Sequence, residues 1–173
     1  VEYQRRLHEA ITAMAGELVA REAPRAQVER IAARLADSFD AHGAELVARV
    51  DAGRVVEAHG DLRPEHVCLE RPPVIIDPLE FDADLRTLDA LSELAFFALE
   101  CERLDARWFA TRVLHRYAER TGDPLPRALF QAYRGYHAIT RALLALRHLD
   151  DRPDTDRRWR DRADDYLRRV ADA

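Results

Sequence analysis

Lysine and asparagine are absent from this sequence of 173 residues, so all 27 of its Lys-or-Arg positions are arginine. A reaction that needs a lysine amine is therefore excluded. Only Cys68 and Cys101 carry thiols, too few for a disulfide framework, and we expect both to be reduced and to pack as small apolar side chains. There is no secretory signal pattern and no apolar run near the roughly 18 residues of a membrane span. These absences predict a cytoplasmic protein without a membrane partner.

The charges are numerous but nearly balanced. The chain has 32 acidic and 27 basic side chains, which gives a formal net charge of −5 and an isoelectric point near 5.8. A nucleic-acid-binding domain usually carries a clear basic excess, so we expect no nucleic-acid partner. Apolar residues make up 47% of the chain, which is enough for a hydrophobic core, and the length predicts one domain over residues 1–173.

Apolar residues recur at steps of three and four along most of the chain, which is typical of helices with one buried face. A first helix is expected from Glu2 to about Glu22. A second is expected from Pro24 to about Gly53, because Gly43 weakens the pattern without having to end it. Further helices are predicted at about 88–101, 106–120, 129–146 and 159–170, with a linker at 152–154. The predicted fold class is mainly α.

Residues 54–87 interrupt this helical pattern. Short β-prone runs at 55–56, 66–69 and 74–76 are separated by Pro and Gly turn signals. We expect a small β-hairpin that carries loops, placed between N-terminal helices in residues 1–53 and a helical bundle in residues 88–173.

The residues that suggest a chemistry lie in this interruption. Asp61 stands in the run H-G-D-L-R-P-E-H, is followed five residues later by His66, and precedes a β-prone run that ends in Asp77. Phosphoryl transfer uses such a layout: the first carboxylate accepts the proton of the attacking hydroxyl, and the later side chains hold metal ions that neutralise the phosphates. Asp61 is therefore a candidate catalytic residue, and His66 and Asp77 are candidate metal ligands.

These segments resemble the catalytic loop, roughly H-G-D-L-H-x-x-N, and the metal-binding I-D segment of the aminoglycoside phosphotransferase family. The helix start D-A-L-S-E-L-A at residues 89–95 is similar to the D-P-x-x-D-L-A that follows in that family, with Glu93 in place of an Asp. The run P-L-E-F at residues 78–81 further resembles an uncharacterised bacterial phosphotransferase-like subfamily. The resemblance covers about Val55 to Leu99.

The resemblance implies the helical C-terminal lobe of a protein-kinase-like fold, in which the hairpin carries the catalytic and metal-binding loops. It implies ATP-dependent phosphoryl transfer to a small-molecule hydroxyl, with a divalent ion, Mg or Mn, bound together with ATP or another nucleotide. In this interpretation Asp61 acts on the hydroxyl and His59 braces the loop, while Asp77, with His66, holds the metal.

Three features depart from the family pattern. His66 stands where the family has Asn; imidazole suits Zn, Cu or Ni better than Mg, and a packed loop histidine is the other interpretation. Arg63 replaces a His, and its guanidinium is suited to a phosphate or to a nearby carboxylate. Residues 1–173 are not expected to include the nucleotide-binding lobe, since no Gly-rich loop and no Lys precede the catalytic loop in them. We therefore expect an N-terminal lobe or a partner protein to cover the cleft.

Two other functions remain open. The missing Lys and Asn also fit a catalytically inactive, pseudokinase-type lobe that acts as a binding module. A metal-dependent hydrolase would instead use direct metal ligands, because a catalytic zinc site keeps three protein ligands and an open position; these ligands would come from His59, Asp61, His66 and Asp77. Glu80 is a candidate contact for substrate or phosphate, with a solvated side chain as the alternative, and Asp82 is expected to be a surface charge.

Overall fold

The structure is a computed structural model that describes residues 2–80, 83–151 and 156–171. Within these ranges the chain forms eight α-helices and four short strands, so the predicted mainly α fold class is confirmed. The helices are α1 (Glu2–Ala20), α2 (Arg25–Ala41), α3 (Gly43–Asp51), α4 (Ala83–Arg86), α5 (Ala90–Arg103), α6 (Arg107–Thr121), α7 (Arg127–Asp151) and α8 (Asp156–Ala171). The strands are β1 (Val55–Glu57), β2 (Val67–Cys68), β3 (Val74–Ile75) and β4 (Thr87–Asp89). Phe81, Asp82 and the predicted linker at 152–154 lie outside the described residues.

The chain divides into two compact units. The terminal unit contains Val1–Leu46 and Gly135–Ala173, and the central unit contains Val47–Arg134. These limits differ from the predicted segments 1–53, 54–87 and 88–173, because α3 and α7 each contribute residues to both units. Every candidate site residue named above, Asp82 aside, is described and lies in the central unit.

The terminal unit is held together by the apolar faces of its helices. α1 packs against α2, and α2 packs against α8. Leu18, Phe39 and Tyr166 are completely buried, as the helical spacing of the apolar residues predicts. Gly135 of α7 lies so near α2 that a Cβ at this position would be 2.5 Å from Cδ2 of Leu35. A larger side chain at position 135 would therefore require the buried Leu35 side chain or the helices to shift.

The helix predicted from Pro24 to Gly53 is interrupted at His42, so that part of the prediction is wrong. His42 adopts φ −107° and ψ 19° between the end of α2 and the start of α3. Its imidazole Nδ1 donates to the carbonyl of Ser38 over 2.7 Å, and the Gln4 amide donates to the carbonyl of Phe39 over 3.3 Å. The Ser38 carbonyl also accepts the backbone N–H of His42 over 3.2 Å, so both the backbone and the side chain of His42 bind the last turn of α2.

Helix α5 forms the centre of the central unit. Residues 91–101 are all buried, as expected for a helix that is apolar around most of its circumference. Leu62 and Val67, from the candidate site region, pack against an α5–α6 cluster made of Phe97, Ala98, Cys101 and Ala110. Burial, with Glu100 close by, raises the pKa of the Cys101 thiol to about 11. Cys101 is therefore a protonated, buried thiol, as the sequence predicts.

The strands form two small antiparallel sheets. β2 pairs with β3 in the register Val67 with Ile75, which is the predicted hairpin. β1 pairs with β4 in the register Val55 with Asp89, whereas the sequence analysis predicts helix from about Leu88. Helix α5 begins only after this strand, and the Asp89 carboxylate caps it by accepting the N–H of Leu91 over 2.9 Å. The β1–β4 pair therefore places the first turn of α5.

Candidate functional site

The loop that carries Asp61 is held by a carboxylate from α5. Glu93 Oε2 accepts the backbone N–H of His59 over 2.9 Å and that of Gly60 over 2.8 Å. Its Oε1 accepts the N–H of Leu62 over 3.1 Å. Glu93 is buried, and these charge-assisted bonds offset the cost of burying its charge. Glu93 thus fixes the backbone on both sides of Asp61.

Gly60 allows the loop to turn at this point. Its φ of +81° lies in the left-handed region that favours glycine. A Cβ here would also lie 2.8 Å from Cδ1 of Leu79, so the loop closely approaches the segment that follows Asp77. The backbone N–H of Leu79 donates to the carbonyl of His59 over 3.0 Å, which joins the same two segments a second time.

The imidazole of His59 links the Asp61 segment to the Asp77 segment. Its Nε2 lies 2.8 Å from the carbonyl of Ile76, the residue before Asp77, and donates to it. Its Nδ1 accepts the backbone N–H of Asp61 over 3.3 Å. A neutral ring protonated on Nε2 satisfies both bonds. These are the contacts of a bracing side chain, which is the role that the resemblance implies for His59.

Arg63 joins Asp61 to His66. Its Nε lies 3.1 Å from Oδ2 of Asp61, as an ion pair. Its Nη2 donates to Nε2 of His66 over 2.8 Å, and Nδ1 of His66 donates to the backbone carbonyl of Asp61 over 3.0 Å. His66 is buried, and both of its ring nitrogens are used within the loop. Asp61 thus supplies Arg63 with a nearby carboxylate, which is one of the two kinds of partner expected for its guanidinium.

Asp77 lies beside this cluster but faces the solvent. Its Oδ2 is 3.4 Å from Nε2 of His66, and its side chain is 75% exposed. Its backbone φ is +62°, an unusual value for a residue other than glycine, at a cost of about 1–3 kcal/mol. The hydrogen bond from the N–H of Ile76 to the carbonyl of His66, 3.0 Å long, holds the preceding residue in place. The structure therefore brings His59, Asp61, Arg63, His66 and Asp77 into one connected group.

Of the two metal ligands that the resemblance implies, Asp77 and His66, only Asp77 has surroundings that fit a metal ion. The Asp77 carboxylate offers exposed oxygen atoms, which are the ligands that Mg prefers. His66 and Asp61 instead face the guanidinium of Arg63, so the residues present do not fit a site for two ions. Within residues 2–80, 83–151 and 156–171, no three His, Cys, Asp or Glu side chains are grouped so that they could hold a metal ion. The direct-ligand site of the hydrolase hypothesis therefore has no support here.

Glu80 has different surroundings from Arg63, the other candidate contact for substrate or phosphate. It is exposed and lines an open pocket of about 570 Å³, together with Glu57, Ala58, Pro78 and Arg86. Arg86 donates to the carboxylate of Glu57 over 2.7 Å and to the carbonyl of Leu79 over 2.6 Å. Arg86 thus ties the segment after Asp77 to β1 and supplies the positive charge of this pocket.

A buried ionic cluster supports the first turn of α5. Arg49 donates to Asp89 from Nε over 2.6 Å and from Nη2 over 2.8 Å, and it reaches both carboxylate oxygens of Asp123 over 2.8 Å. All three side chains are buried, and the Tyr133 hydroxyl donates to Asp89 over 3.1 Å. Burial by itself raises the pKa of Asp123, but the hydrogen bonds from Arg49 and from the N–H of Leu125 bring it below its usual value.

Sequence reasoning did not find this cluster, because its members are far apart in the chain. Arg49 and Asp123 lie 74 residues apart, and neither belongs to a recognisable motif. Glu93, which contacts the loop and not this cluster, did carry a signal: it is the one acidic residue in the first turn of α5, and the six residues after it are apolar. A buried carboxylate of this kind needs several hydrogen-bond donors, and the loop supplies them.

The β2–β3 hairpin carries apolar side chains on its surface. Leu69 is 80% exposed, and three neighbours in or beside β3 are also exposed, namely Val74, Ile75 and Ile76. Such a group of exposed apolar residues often marks a surface that another molecule covers. Among the described helices, none combines the length and the apolar character that crossing a membrane requires.

The chain is similar to mycobacterial proteins of much greater length. It is 35% identical over 98 residues to an uncharacterised protein of Mycobacterium tuberculosis (strain H37Rv) and, equally, to one of Mycobacterium bovis. The alignment covers 56% of this chain and 20% of either relative, so the chain spans about a fifth of the curated relatives that it matches. No protein-family model matches the chain, and no solved structure shows significant similarity to it.

Proposed function

We propose that this chain is the helical lobe of a kinase-like phosphotransferase, similar to the aminoglycoside phosphotransferase family, that transfers the terminal phosphoryl group of a nucleotide to a small-molecule hydroxyl. The observation that carries the proposal is the position of the His59 imidazole between the Asp61 N–H and the Ile76 carbonyl. It joins the two segments that phosphoryl transfer must hold side by side: the one that receives the hydroxyl proton and the one that faces the phosphates.

Asp61 has the proton-accepting role in this proposal. The acceptor oxygen forms a bond to the terminal phosphorus while the bond from that phosphorus to the nucleoside diphosphate breaks, and the hydroxyl proton passes to the Asp61 carboxylate. Arg63 and Glu93 keep this carboxylate in position, Arg63 by its ion pair over 3.1 Å and Glu93 through the loop backbone. Precise placement of this kind accounts for much of the catalysis in phosphoryl transfer.

The phosphates belong on the side of Asp77. A divalent ion, Mg or Mn, bound with the nucleotide supplies charge neutralisation there, and the exposed Asp77 carboxylate is the residue that would hold it. Nucleotide binding also needs an N-terminal lobe or a partner protein over the cleft. The exposed apolar side chains of the β2–β3 hairpin support such a cover.

Nucleotide binding is the first experiment for this proposal. Isothermal titration calorimetry with ATP and with GTP, in MgCl2 or MnCl2, should be run on the longest natural polypeptide that contains this chain. We expect metal-dependent binding that Asp77→Asn weakens at least tenfold and that Asp37→Asn, the same change at an exposed position of α2, leaves unaltered. Absence of nucleotide binding under every condition would refute the proposal.

A pseudokinase-type binding module is the second candidate, and one observation favours it. Arg63 faces both Asp61 and His66, so the side chain that would receive a proton is already engaged by a cation. Such a lobe would bind a nucleotide or a protein partner without transferring a phosphoryl group. Asp61→Asn separates the two functions, because it stops transfer in the kinase and changes nothing in the binding module.

A further inference from the structure

The position of Arg63 bears on how many metal ions this site accepts. Its guanidinium contacts two groups: Nε lies 3.1 Å from Oδ2 of Asp61 as an ion pair without a hydrogen bond, and Nη2 donates to Nε2 of His66 at 2.8 Å. The side chains of Arg63 and Asp61 are each about a quarter exposed. The guanidinium is therefore held by the site and is also within reach of a ligand that enters from the solvent.

The bond to His66 excludes a metal ion from the same atom. Nδ1 of His66 carries the proton, because it donates to the carbonyl of Asp61 over 3.0 Å, so Nε2 has a single lone pair. An ion bound to that lone pair would sit about 2.0–2.1 Å from the nitrogen. The Nη2–H group of Arg63 already occupies that direction. Arg63 and a metal ion are therefore alternatives at Nε2.

The positive charge of Arg63 also disfavours a metal ion between Asp61 and His66. A guanidinium keeps its positive charge at every accessible pH, and this one faces the Asp61 carboxylate. A divalent ion placed between Asp61 and His66 would have to displace Arg63 or accept a positive neighbour at close range. A divalent ion on Asp77 is repelled less by the Arg63 guanidinium, because 75% of the Asp77 side chain is exposed to solvent.

We infer that Arg63 is a built-in cation that takes the place of a metal ion between Asp61 and His66. The site then binds a divalent ion on the Asp77 side alone, and His66 positions Arg63 without being a metal ligand. The inference rests on the proposed function for the identity of the ligands, which are a divalent ion and the phosphates that it accompanies. The competition between Arg63 and a metal ion for His66 can be measured on this chain without assuming the proposed function.

Manganese binding tests the inference directly. Free Mn2+ is measured by electron paramagnetic resonance during titration of the 173-residue chain and of its variants. Arg63→Gln is expected to bind Mn2+ at least tenfold more tightly than the unaltered chain, because it removes the positive charge beside Asp61 and the group that occupies Nε2 of His66. Arg112→Gln is the matched control: it removes the same charge from an exposed position of α6 and should bind as the unaltered chain does.

The role of His66 is tested in the Arg63→Gln variant. His66→Ala should abolish the gain in Mn2+ binding that Arg63→Gln produces. Equal binding by Arg63→Gln and Arg112→Gln would overturn the inference. So would an equal gain in the double variant Arg63→Gln with His66→Ala, because His66 would then have no part in the added metal binding.

A measurement on the unaltered chain does not depend on how the variants fold. Nitrogen NMR of the imidazole ring should find His66 protonated on Nδ1, with no scalar coupling between Nε2 and the metal when an NMR-active isotope of cadmium is added. Such a coupling would show that the metal binds Nε2 in place of Arg63 and would overturn the inference. None of these experiments measures phosphoryl transfer. A failure of the proposed function and a failure of the inference about Arg63 can therefore be distinguished.

Discussion

The imidazole of His59 donates to the carbonyl of Ile76 over 2.8 Å, although 17 residues separate the two in the chain. The same ring accepts the N–H of Asp61. This relationship places a solvent-accessible carboxylate at the end of each segment, Asp61 in the loop and Asp77 after β3. The phosphotransferase proposal depends on that arrangement more than on any single side chain.

Replacing His59 tests the link between the segments. His59→Phe keeps an aromatic ring beside His66, whose ring centroid is 5.4 Å away, but loses both hydrogen bonds. We expect a loss of about 1–3 kcal/mol in the free energy of unfolding, measured by urea denaturation. His115→Phe, at an exposed position of α6, serves as the control. An equal effect of the two changes would show that the bonds of His59 do not hold the loop.

Glu93 is expected to control the order of the loop. A Gln in its place keeps one oxygen acceptor and points an N–H donor at the donors of the loop, so at least one of the bonds to His59, Gly60 and Leu62 is lost. Hydrogen exchange of these amides, read by NMR, should become at least tenfold faster in Glu93→Gln and remain unchanged in Glu70→Gln. Unchanged protection in Glu93→Gln would contradict the role of this carboxylate.

Gly60 is expected to resist substitution for two separable reasons. Gly60→Ala places a Cβ against Leu79 and forces a non-glycine residue to φ +81°, at a combined cost of about 1–3 kcal/mol or more. Leu79→Ala in the same chain relieves the contact but not the backbone conformation, so it should restore only part of the loss.

Gly16 provides the matched control for this change. It lies inside α1, and a Cβ there would have nothing within 4 Å. Gly16→Ala should therefore stabilise the chain by up to about 1 kcal/mol. Urea denaturation of both variants measures the contrast, and a neutral Gly60→Ala would contradict the account of the turn.

Arg49 is expected to be the most sensitive residue of the buried cluster. Arg49→Met leaves the carboxylates of Asp89 and Asp123 buried without their cation, and breaking a buried ion pair in this way costs about 3–5 kcal/mol. Arg112→Met, on the exposed face of α6, should change the free energy of unfolding by no more than about 0.5 kcal/mol. If Arg49→Met were as mild as this control, the cluster would not support α5.

The pH dependence of stability should report on Asp123. Its pKa in the folded chain lies below the usual value of 3.8, as the net result of burial, which raises it, and of bonds from Arg49 and Leu125, which lower it. A lowered folded-state pKa contributes stability above the unfolded-state pKa and loses it as the pH falls through the folded value. The stability difference between the unaltered chain and Asp123→Asn should therefore shrink below about pH 4. A difference that grows on acidification would contradict this assignment.

The features that could be read from the sequence are those set by nearby residues. Helical spacing predicts α5 and α6, and the alternation of β-prone runs and turn residues predicts the β2–β3 hairpin, whose register pairs Val67 with Ile75. The pairing of Val55 with Asp89 and the bonds of Arg49 escaped prediction, because they join residues that are distant in the chain.

In the candidate site, too, local features could be predicted from the sequence and contacts between side chains could not. The positions of Asp61 and Asp77 follow from a local motif, and the structure brings their segments together through His59. The partner of Arg63 could not be chosen from the sequence, since a guanidinium suits phosphate and carboxylate equally well. Only the geometry shows that His66 and Asp61 both face it.

The central claim is tested most directly by phosphoryl transfer in the Asp61→Asn variant. Labelled phosphate should be followed from ATP or GTP into a panel of aminoglycosides, sugars and amino alcohols, with the longest natural polypeptide that contains this chain. The account predicts transfer to at least one hydroxyl compound, and a loss of at least 100-fold in Asp61→Asn with nucleotide binding retained. Transfer at an undiminished rate in Asp61→Asn, or no transfer at all by the unaltered polypeptide, would contradict it.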